Sequence, residues 1–497
     1  MSRFDLIDPV KQFADLVLEK GRNLYPHLDN PLIADGIDFK NGGGARVNVA
    51  AEVVDGAVLS NPACQQRLLR MLVGLSNVTG DDTYRNAAAA VMEHMFEALS
   101  DKNGLFYWGG HVAFDLEKND IVKGKSGPHE LKCHYPFYDF MWDVNATGTK
   151  RYVEAMWNAH IYNWQVLDFS RHGKYDLEMG DLWANRYQPG RIFFVGRGLT
   201  FINCGSDLYY AAGLLHGLGG EIQPLTWAQR LNGRFLETRD PNTGMGGYQF
   251  TLRHLPGAQY WSDRAIHQFG AQLAGHFIAE GAISHPRQIQ AICGSAGLAR
   301  MALADRLGDI GWDFAQSAIE DLIAYGKWAY EPKDNTLHAT HTDGTRLTGL
   351  VFEQDGYYGK AGSSWEPVKV GGLMLRAYAT AYRLCLDRVE RAFLWQMVRD
   401  IARGNGLGDF DGEANLDTDC TDADTIHALI ELFACTQLDI FWNLAERIAR
   451  NILGTRFKDG YFVSDGIALV DDPAPLALLR LHAAKVNNWD QVPVPVR

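Results

Sequence analysis

The 497-residue sequence lacks the features that mark several specialised classes of protein. No stretch approaches the ~20 consecutive apolar residues that a membrane-spanning helix needs. Basic residues are not in excess, since 47 Lys and Arg stand against 60 Asp and Glu and the net charge is −13. The broad basic surface of a nucleic-acid-binding protein is therefore missing. We expect neither a membrane span nor a nucleic-acid partner.

Paired cysteines are missing as well. The seven cysteines are scattered and odd in number, and they contain no CxxC motif, so we expect reduced thiols and no four-cysteine zinc site. The N-terminal segment has no apolar signal-peptide core and is typical of an amphipathic surface helix. The sequence thus favours a cytoplasmic location, or a periplasmic or secreted one if a natural leader has been removed.

Glycine and aromatic residues are plentiful. The chain has 51 Gly, 13 Trp and 20 Tyr, within an apolar fraction of 46% that is ordinary for a globular protein. Aromatic planes and tight glycine loops are typical of carbohydrate-binding clefts, although they also occur in ordinary cores.

Helix pairs joined by short Gly- or Asp-rich turns recur along the whole chain. Their spacing is irregular, which argues against a solenoid of fixed period. Strand-like alternation is sparse, at 104–114, 191–195 and 460–469. We therefore predict an all-α fold, an (α/α) toroid of six or seven hairpins with long inserted loops and a few short strands, in one domain over 1–497. The predicted pairs are 65–78 and 83–99, 136–148 and 149–167, 206–216 and 224–238, 289–306 and 311–330, 371–385 and 387–403, and 421–436 and 439–453, with a last helix at 474–484.

The chemically rich residues are concentrated between 104 and 205. Gly109 and Gly110 allow a tight turn that projects His111. Glu130 follows a Gly-Pro turn and precedes a predicted helix. Each residue also has an ordinary interpretation, His111 as a surface histidine and Glu130 as a partner of the helix dipole.

A predicted helix over 151–176 carries His160 on the same face as Trp157 and Trp164, so His160 points inward. A lone inward histidine is more often a core residue than a ligand. The helix is predicted to end near Ser170, with Gly173 as its C-cap. Arg171 and His172 then lie at its exit, where cations also simply favour the helix dipole.

Two histidines and one glutamate at loop or helix-end positions form a sensible metal-binding set. His111, Glu130 and His172, with open coordination positions, suit Mn²⁺, Ni²⁺ or Zn²⁺, whereas Ca²⁺ fits less well because imidazole is a poor calcium ligand. No HExxH motif is present.

Further residues are candidates for substrate binding. Arg186, Arg191 and Arg197 could hold carboxylates by bidentate contacts, or they could form a solvated basic face. Trp108 and Tyr248 are candidate sugar-binding residues. The Gly/Tyr-rich loops 244–261 and 352–367 are either subsites or packing loops; besides Tyr248 they offer Tyr357, Tyr358 and Trp365.

The segments YWGGH, HELKCHYPFYDFMW, MWNAHIYNW and LDFSRHGKYD together resemble the family 2 pectate lyases. This resemblance implies an (α/α)7 barrel that cleaves polygalacturonate, an acidic oligo- or polysaccharide, by β-elimination. It implies that His111, Glu130 and His172 hold a divalent transition metal, with Mn²⁺ favoured, and that Arg171 is the Brønsted base. Members of the family that work inside the cell suit the missing leader.

Several alternatives remain open from the residues alone. An arginine is normally protonated, so His160 or Tyr175 could instead remove the C5 proton while Asn158 polarises the carboxyl group. A glycoside hydrolase or a sugar epimerase could use the same scaffold, with paired carboxylates such as Asp417 and Asp419 in the acidic run 406–424. A toroid that only binds a peptide or glycan is a third hypothesis.

Overall fold

Most of the regular structure is helical, as the periodicity predicts. The computed structural model describes residues 5–22, 24–25, 28, 30–48, 56–124, 127–253, 268, 280–356, 358–463 and 466–496. Within these ranges the helices are α1 Ile7–Lys20, α2 Gln66–Thr79, α3 Thr83–Glu97, α4 Tyr138–His160, α5 Ile202–Gly219, α6 Ile222–Leu236, α7 Pro286–Ile289, α8 Ala296–Leu307, α9 Trp312–Trp328, α10 Gly372–Leu384, α11 Arg388–Gly404, α12 Ala423–Thr436, α13 Asp439–Thr455 and α14 Pro473–Lys485.

The turn between α2 and α3 shows how the local sequence makes a hairpin. Leu68, Leu72 and Leu75 recur at helical spacing and are buried, so one face of α2 belongs to the core. Gly80 then takes a left-handed conformation at φ 74°, and its N–H donates to the carbonyl of Ser76. This is a glycine C-cap, which ends α2 and allows α3 to start three residues later.

Close contacts divide the chain into two units. The first unit comprises 1–159, 173–180 and 415–496. In it α2 pairs with α3, α12 with α13, and α14 with α1, while α14 also packs on both α2 and α12. α4 adds two helical segments on either side of Asn145, whose φ of −155° is not helical.

The second unit comprises 160–172 and 181–414, together with residue 497. In it α5 pairs with α6, α8 with α9, and α10 with α11, and α8 packs on both α5 and α10. A single turn of π-helix over 290–295 joins α7 to α8. The described ranges thus contain six helix pairs, in addition to the two segments of α4.

The strands are short and lie in the connections between helices. Strands β2, β3 and β4 form one antiparallel sheet, and β7 pairs with β8 in parallel. The strands are β1 Gly36–Ile37, β2 Leu59–Ser60, β3 Val112–Asp115, β4 Asp120–Lys123, β5 Ile161–Asn163, β6 Asp168–Phe169, β7 Phe194–Gly196, β8 Thr251–Arg253, β9 Ile283–Ser284, β10 Tyr330–Glu331, β11 Thr336–Leu337, β12 Thr340–His341, β13 Val368–Lys369, β14 Phe457–Lys458, β15 Tyr461–Phe462 and β16 Ala468–Leu469.

One predicted helix is shorter than expected. The sequence predicts helix up to about residue 170, but α4 ends at His160 and the chain forms the hairpin β5–β6. The N–H of Ser170 donates to the carbonyl of His160, and Leu167 takes a left-handed φ of 54°. The β-branched and aromatic pair Ile161 and Tyr162 suits a strand better than a helix. Gly173 is consequently not a helix C-cap.

The predicted fold class is confirmed as helix hairpins with long inserted loops and few strands. None of the helices in the described ranges is both long and apolar enough to span a bilayer. All seven cysteines are free thiols, as expected. A single domain over 1–497 stays a prediction.

Candidate active site

The two glycines before His111 lie directly against Glu130. Gly109 has a φ of 102°, and the N–H of Gly110 donates to the carbonyl of Glu130 at 2.8 Å. A Cβ on Gly109 would lie 2.2 Å from that carbonyl oxygen, and one on Gly110 would lie 2.4 Å from Oε2 of Glu130. Both positions therefore require glycine, for close approach and not only for the turn.

The side chain of Asn61 holds this glycine turn in place. Its Nδ2 donates to the carbonyl of Gly109 at 2.8 Å, and its Oδ1 accepts from the N–H of Gly109 at 3.0 Å. Asn61 is fully buried and follows β2, which pairs with β3 just after His111. The β2–β3 pairing and the Asn61 amide thus fix the backbone on both sides of His111.

His111 and Glu130 form a buried pair. The Nε2 atom of His111 lies 3.0 Å from Oε2 of Glu130, with His111 only 4% exposed and Glu130 fully buried. The ammonium of Lys132 lies 2.8 Å from the same carboxylate oxygen. A buried carboxylate of this kind needs cationic or hydrogen-bonding partners.

A short backbone pairing brings His172 to the same place. His129 and Gly173 exchange two backbone hydrogen bonds of 3.1 and 2.8 Å, so the residues next to them in the chain, Glu130 and His172, are neighbours. One ligand atom each from His111, Glu130 and His172 lies within 4.8 Å of the others. The structure therefore brings together the three predicted metal ligands.

The chemistry and size of this cluster fit a divalent transition metal. Two imidazole nitrogens and one carboxylate oxygen are the donors that borderline cations such as Zn²⁺ or Mn²⁺ accept, while Ca²⁺ prefers oxygen alone. Ligand atoms that bind one ion at ~2.0–2.3 Å are at most about 4.6 Å apart, which is close to the dimensions found. The identity of the ion stays a prediction.

Arg171 lies beside this cluster because it directly precedes His172. Its backbone N–H donates to the carbonyl of Leu199 at 3.2 Å, and its guanidinium lies 5.7 Å from the ring centre of Phe201. The side chain is half-buried. Its base role stays a prediction.

The two alternative bases have contacts that are typical of packing. His160 is buried, and its Nδ1 lies 2.6 Å from the carbonyl of Ser170. Tyr175 donates its hydroxyl to the carbonyl of Phe106 at 3.1 Å, and burial raises the pKa of Tyr175 well above its usual value. Both assignments stay predictions.

The predicted substrate-binding polar residues are exposed or have local contacts. The side-chain amide of Asn158 donates to the carbonyl of Glu178 at 3.2 Å. Arg186, Arg191 and Arg197 are exposed, and the guanidinium of Arg197 lies 5.9 Å from the ring centre of Tyr162. The backbone around Arg197 is held by the carboxylate of Asp168, which accepts its N–H at 2.8 Å.

The predicted aromatic contacts are mostly inside the protein. Trp108 is fully buried and donates its indole N–H to the hydroxyl of Tyr152 at 3.1 Å, so it offers no ring face to a sugar. Tyr248 is 8% exposed and packs 5.2 Å from the ring centre of Phe201. Tyr357 and residues 254–261 of the first loop lie outside the described residues.

Sequence reasoning missed Lys132 and Asn61. Lys132 could have been predicted from the sequence, because it follows Glu130 by two positions. Residues at that spacing in an extended chain point to the same side. No sequence pattern points to Asn61, since only the tertiary fold places it against Gly109.

Two carboxylates of the acidic run 406–424 form ion pairs with one arginine. Arg399 binds Asp409 through two bonds of 2.9 Å and Asp411 at 2.7 Å. The bidentate contact with Arg399 lowers the pKa of Asp409 to about 2. Asp417 and Asp419 are exposed. A catalytic carboxylate pair finds no support in these contacts.

Comparison with known proteins identifies the class of enzyme. Residues 30–497 match the family described as "Periplasmic pectate lyase". The chain is also 31% identical over 487 residues to "Pectate disaccharide-lyase" of Dickeya dadantii (strain 3937), covering 93% of this chain and 86% of the relative. The chain is therefore a polysaccharide lyase. It belongs to this pectate lyase family.

The solved structures that resemble this chain share little sequence with it. A GH76 α-mannanase of Bacteroides thetaiotaomicron has a TM-score of 0.46 at 10% identity, covering 98% of this chain and 97% of the mannanase. A cellobiose 2-epimerase of Bacillus thermoamylovorans has a TM-score of 0.43 at 11% identity, covering 95% and 98%. Likenesses at this level support no statement about activity.

The family description corrects one expectation. A cytoplasmic location was expected from the composition of the first residues, and it is wrong because the matched family is described as periplasmic.

Proposed function

We propose that the protein cleaves pectate or oligogalacturonides by β-elimination, with a divalent transition metal held by His111, Glu130 and His172. The observation that carries this proposal is the convergence of these three side chains within 4.8 Å, next to Arg171 in the chain. The family match supports the substrate class. The name of the relative, pectate disaccharide-lyase, favours disaccharide products.

The proposed reaction removes the proton on C5 of a uronate unit. The electron pair of the C5–H bond forms a C4–C5 double bond, the C4–O bond breaks, and the released oxygen takes up a proton. The C5 proton is weakly acidic because the adjacent carboxylate already carries negative charge. A divalent cation, when bound, neutralises that carboxylate and favours the carbanion-like transition state.

In this proposal Arg171 receives the C5 proton. Its backbone N–H is fixed by the carbonyl of Leu199, and its guanidinium lies 5.7 Å from the ring centre of Phe201. An arginine side chain in water is protonated, so it can accept a proton only where neighbouring positive charge and exclusion of water disfavour its charged form. The ammonium of Lys132, 2.8 Å from Glu130, adds positive charge to the same site.

The test of the metal role combines metal analysis with an assay for unsaturated products. The substitutions Glu130→Gln and His172→Ala are expected to remove bound Mn²⁺, measured by calorimetry, and to lower kcat by about a hundredfold or more. His216→Ala, which changes a histidine of α5, is the control. Full activity after complete chelation would exclude the metal role. The absence of unsaturated product from every uronide tested would exclude the lyase.

A second set of variants tests the base. Arg171→Ala is expected to abolish elimination without changing the affinity for Mn²⁺, because it removes the proton acceptor and no ligand. His160→Ala and Tyr175→Phe are expected to retain elimination if they fold. Loss of kcat in His160→Ala with normal metal and substrate binding would transfer the role of base from Arg171 to His160.

A further inference from the structure

The second unit contains a cleft that is separate from the His111, Glu130 and His172 cluster in its residues. Its volume is about 500 Å³, and His285, Arg287, Tyr358 and Trp365 line it. We propose that this cleft is an additional subsite for a carboxylated sugar, so that it binds a remote unit of the same uronide chain. The inference rests on the proposed function, because it takes its ligand class from that reaction.

The aromatic wall of the cleft is preorganised. Trp365 meets Tyr358 edge to face at 5.0 Å and Phe352 edge to face at 5.3 Å. Phe352 is buried together with Leu347, and Tyr358 and Trp365 pack against this cluster while remaining only partly buried. Edge-to-face contacts stabilise the ring orientations. A sugar that packs on these rings would not need to order them first.

His285 completes the wall as a neutral ring. Its ring centre lies 5.9 Å from that of Trp365. Its side chain accepts a hydrogen bond from the backbone N–H of Gln288, and the Gln288 side chain accepts one from the backbone N–H of His285, which forms a capping box at the start of α7. Burial, with a contribution from Arg287, lowers the pKa of His285 to about 4. The imidazole is therefore uncharged near neutral pH, and the positive charge of the cleft comes from Arg287.

Arg287 gives the cleft its preference for a carboxylated sugar. Its side chain is exposed, and a guanidinium binds a carboxylate through two parallel hydrogen bonds. The carboxylate of Glu366, which also lines the cleft, accepts a hydrogen bond from the hydroxyl of Ser364 at 2.8 Å. A neutral sugar could pack on the rings and accept a hydrogen bond from Arg287, but it lacks the carboxylate that forms the stronger, charge-assisted bidentate contact.

A series of contacts within the second unit connects this cleft with Arg171. The N–H of Arg171 donates to Leu199, and Phe201 forms a bridge with Gln249. A Cβ on Gly281 would lie 2.4 Å from the carbonyl of Gln249, and His285 follows four positions later. A long oligosaccharide is therefore expected to contact both places, and a short one to contact only the reacting site.

Substrate length is therefore the variable to test. KM and kcat are measured for trigalacturonate and for a long oligogalacturonide with the parent chain, Trp365→Ala and Arg287→Gln. Both variants are expected to raise KM for the long substrate about tenfold, with kcat and all constants for trigalacturonate unchanged. Normal cleavage of trigalacturonate also shows that the variants fold. Trp328→Ala changes an exposed tryptophan of the same unit that does not line the cleft, and it is the control.

The outcomes separate this inference from the proposed function. Equal KM values for the long substrate in all variants, or equal changes for both lengths, would overturn the additional subsite. A methyl-esterified oligogalacturonide has no free carboxylate for Arg287. Weaker binding of this ligand to Trp365→Ala, with unchanged binding to Arg287→Gln, would support the assignment of sugar packing to the rings and carboxylate binding to Arg287. A parent chain that forms no unsaturated product would instead refute the proposed function.

Discussion

A methyl group on Gly110 would lie 2.4 Å from Oε2 of Glu130, the oxygen that His111 contacts at 3.0 Å. The glycine is thus part of the site although it has no side chain. Gly110→Ala is expected to displace the Glu130 carboxylate, to weaken Mn²⁺ binding at least tenfold and to lower kcat accordingly. Calorimetry with Mn²⁺ measures the first effect.

Gly180→Ala is the matched control for this prediction. An added Cβ at Gly180 meets nothing within 4 Å, so metal binding should be unchanged. Unchanged Mn²⁺ affinity in Gly110→Ala would show that the close approach of Gly110 to Glu130 has no role in the site.

Lys132 should oppose the binding of a divalent cation at Glu130. Its ammonium lies 2.8 Å from Oε2 of Glu130, and like charges near one carboxylate repel. Lys132→Met is expected to tighten Mn²⁺ binding by about three- to tenfold, as measured by calorimetry. Lys123→Met, which changes a cation over the rings of Tyr107 and Tyr175, should not. Weaker binding in Lys132→Met would mean that Lys132 supports the site.

Asp35 should make stability depend on pH. Burial raises the pKa of Asp35 to about 7, despite hydrogen bonds from Gln65 and the N–H of Asn61. Its ordinary pKa in the unfolded chain is ~3.9, so between these values the folded state holds the extra proton and stability falls as pH rises. The loss should be on the order of 2–4 kcal/mol between pH 4 and pH 8.

Asp35→Asn should remove most of this dependence, since the amide is neutral at every pH. Urea unfolding at pH 4 and pH 8 measures it. Asp38→Asn is the control, because hydrogen bonds from Asn41 lower the pKa of the exposed Asp38. Asp38 is therefore ionised over most of the range from pH 4 to pH 8, and its substitution should leave the pH dependence nearly unchanged. A parent protein that is equally stable at both pH values would contradict the prediction.

Trp108 should matter for stability and not directly for substrate affinity. The fully buried indole packs edge to face on Phe106 and donates to Tyr152. Trp108→Ala is expected to cost about 3–5 kcal/mol of unfolding free energy. Trp108→Phe, which keeps most of the ring volume, should cost less and leave KM unchanged. A raised KM in a stable Trp108→Phe protein would restore Trp108 as a substrate-binding residue.

The sequence predicts the helix hairpins well because their signals are local. Apolar spacing and a glycine C-cap place α2 and α3 within two residues of the predicted ranges. The helix α4 is predicted too long, since Ile161, Tyr162 and Trp164 continue an apolar pattern that also suits the hairpin β5–β6. Periodicity cannot distinguish these two outcomes for a short apolar run.

The three ligand residues were identified from residue type and family resemblance. The sequence by itself determined only that two imidazoles and one carboxylate are available as metal donors. Only the tertiary structure decided that they meet, because backbone pairing of His129 with Gly173 and the contact of Gly110 with Glu130 join segments that are distant in the chain. It also decided that Trp108 is a core residue, because burial depends on contacts with Tyr152 and Phe106 that no local pattern records. Local propensity therefore determines the elements, and long-range packing determines which side chains can act together.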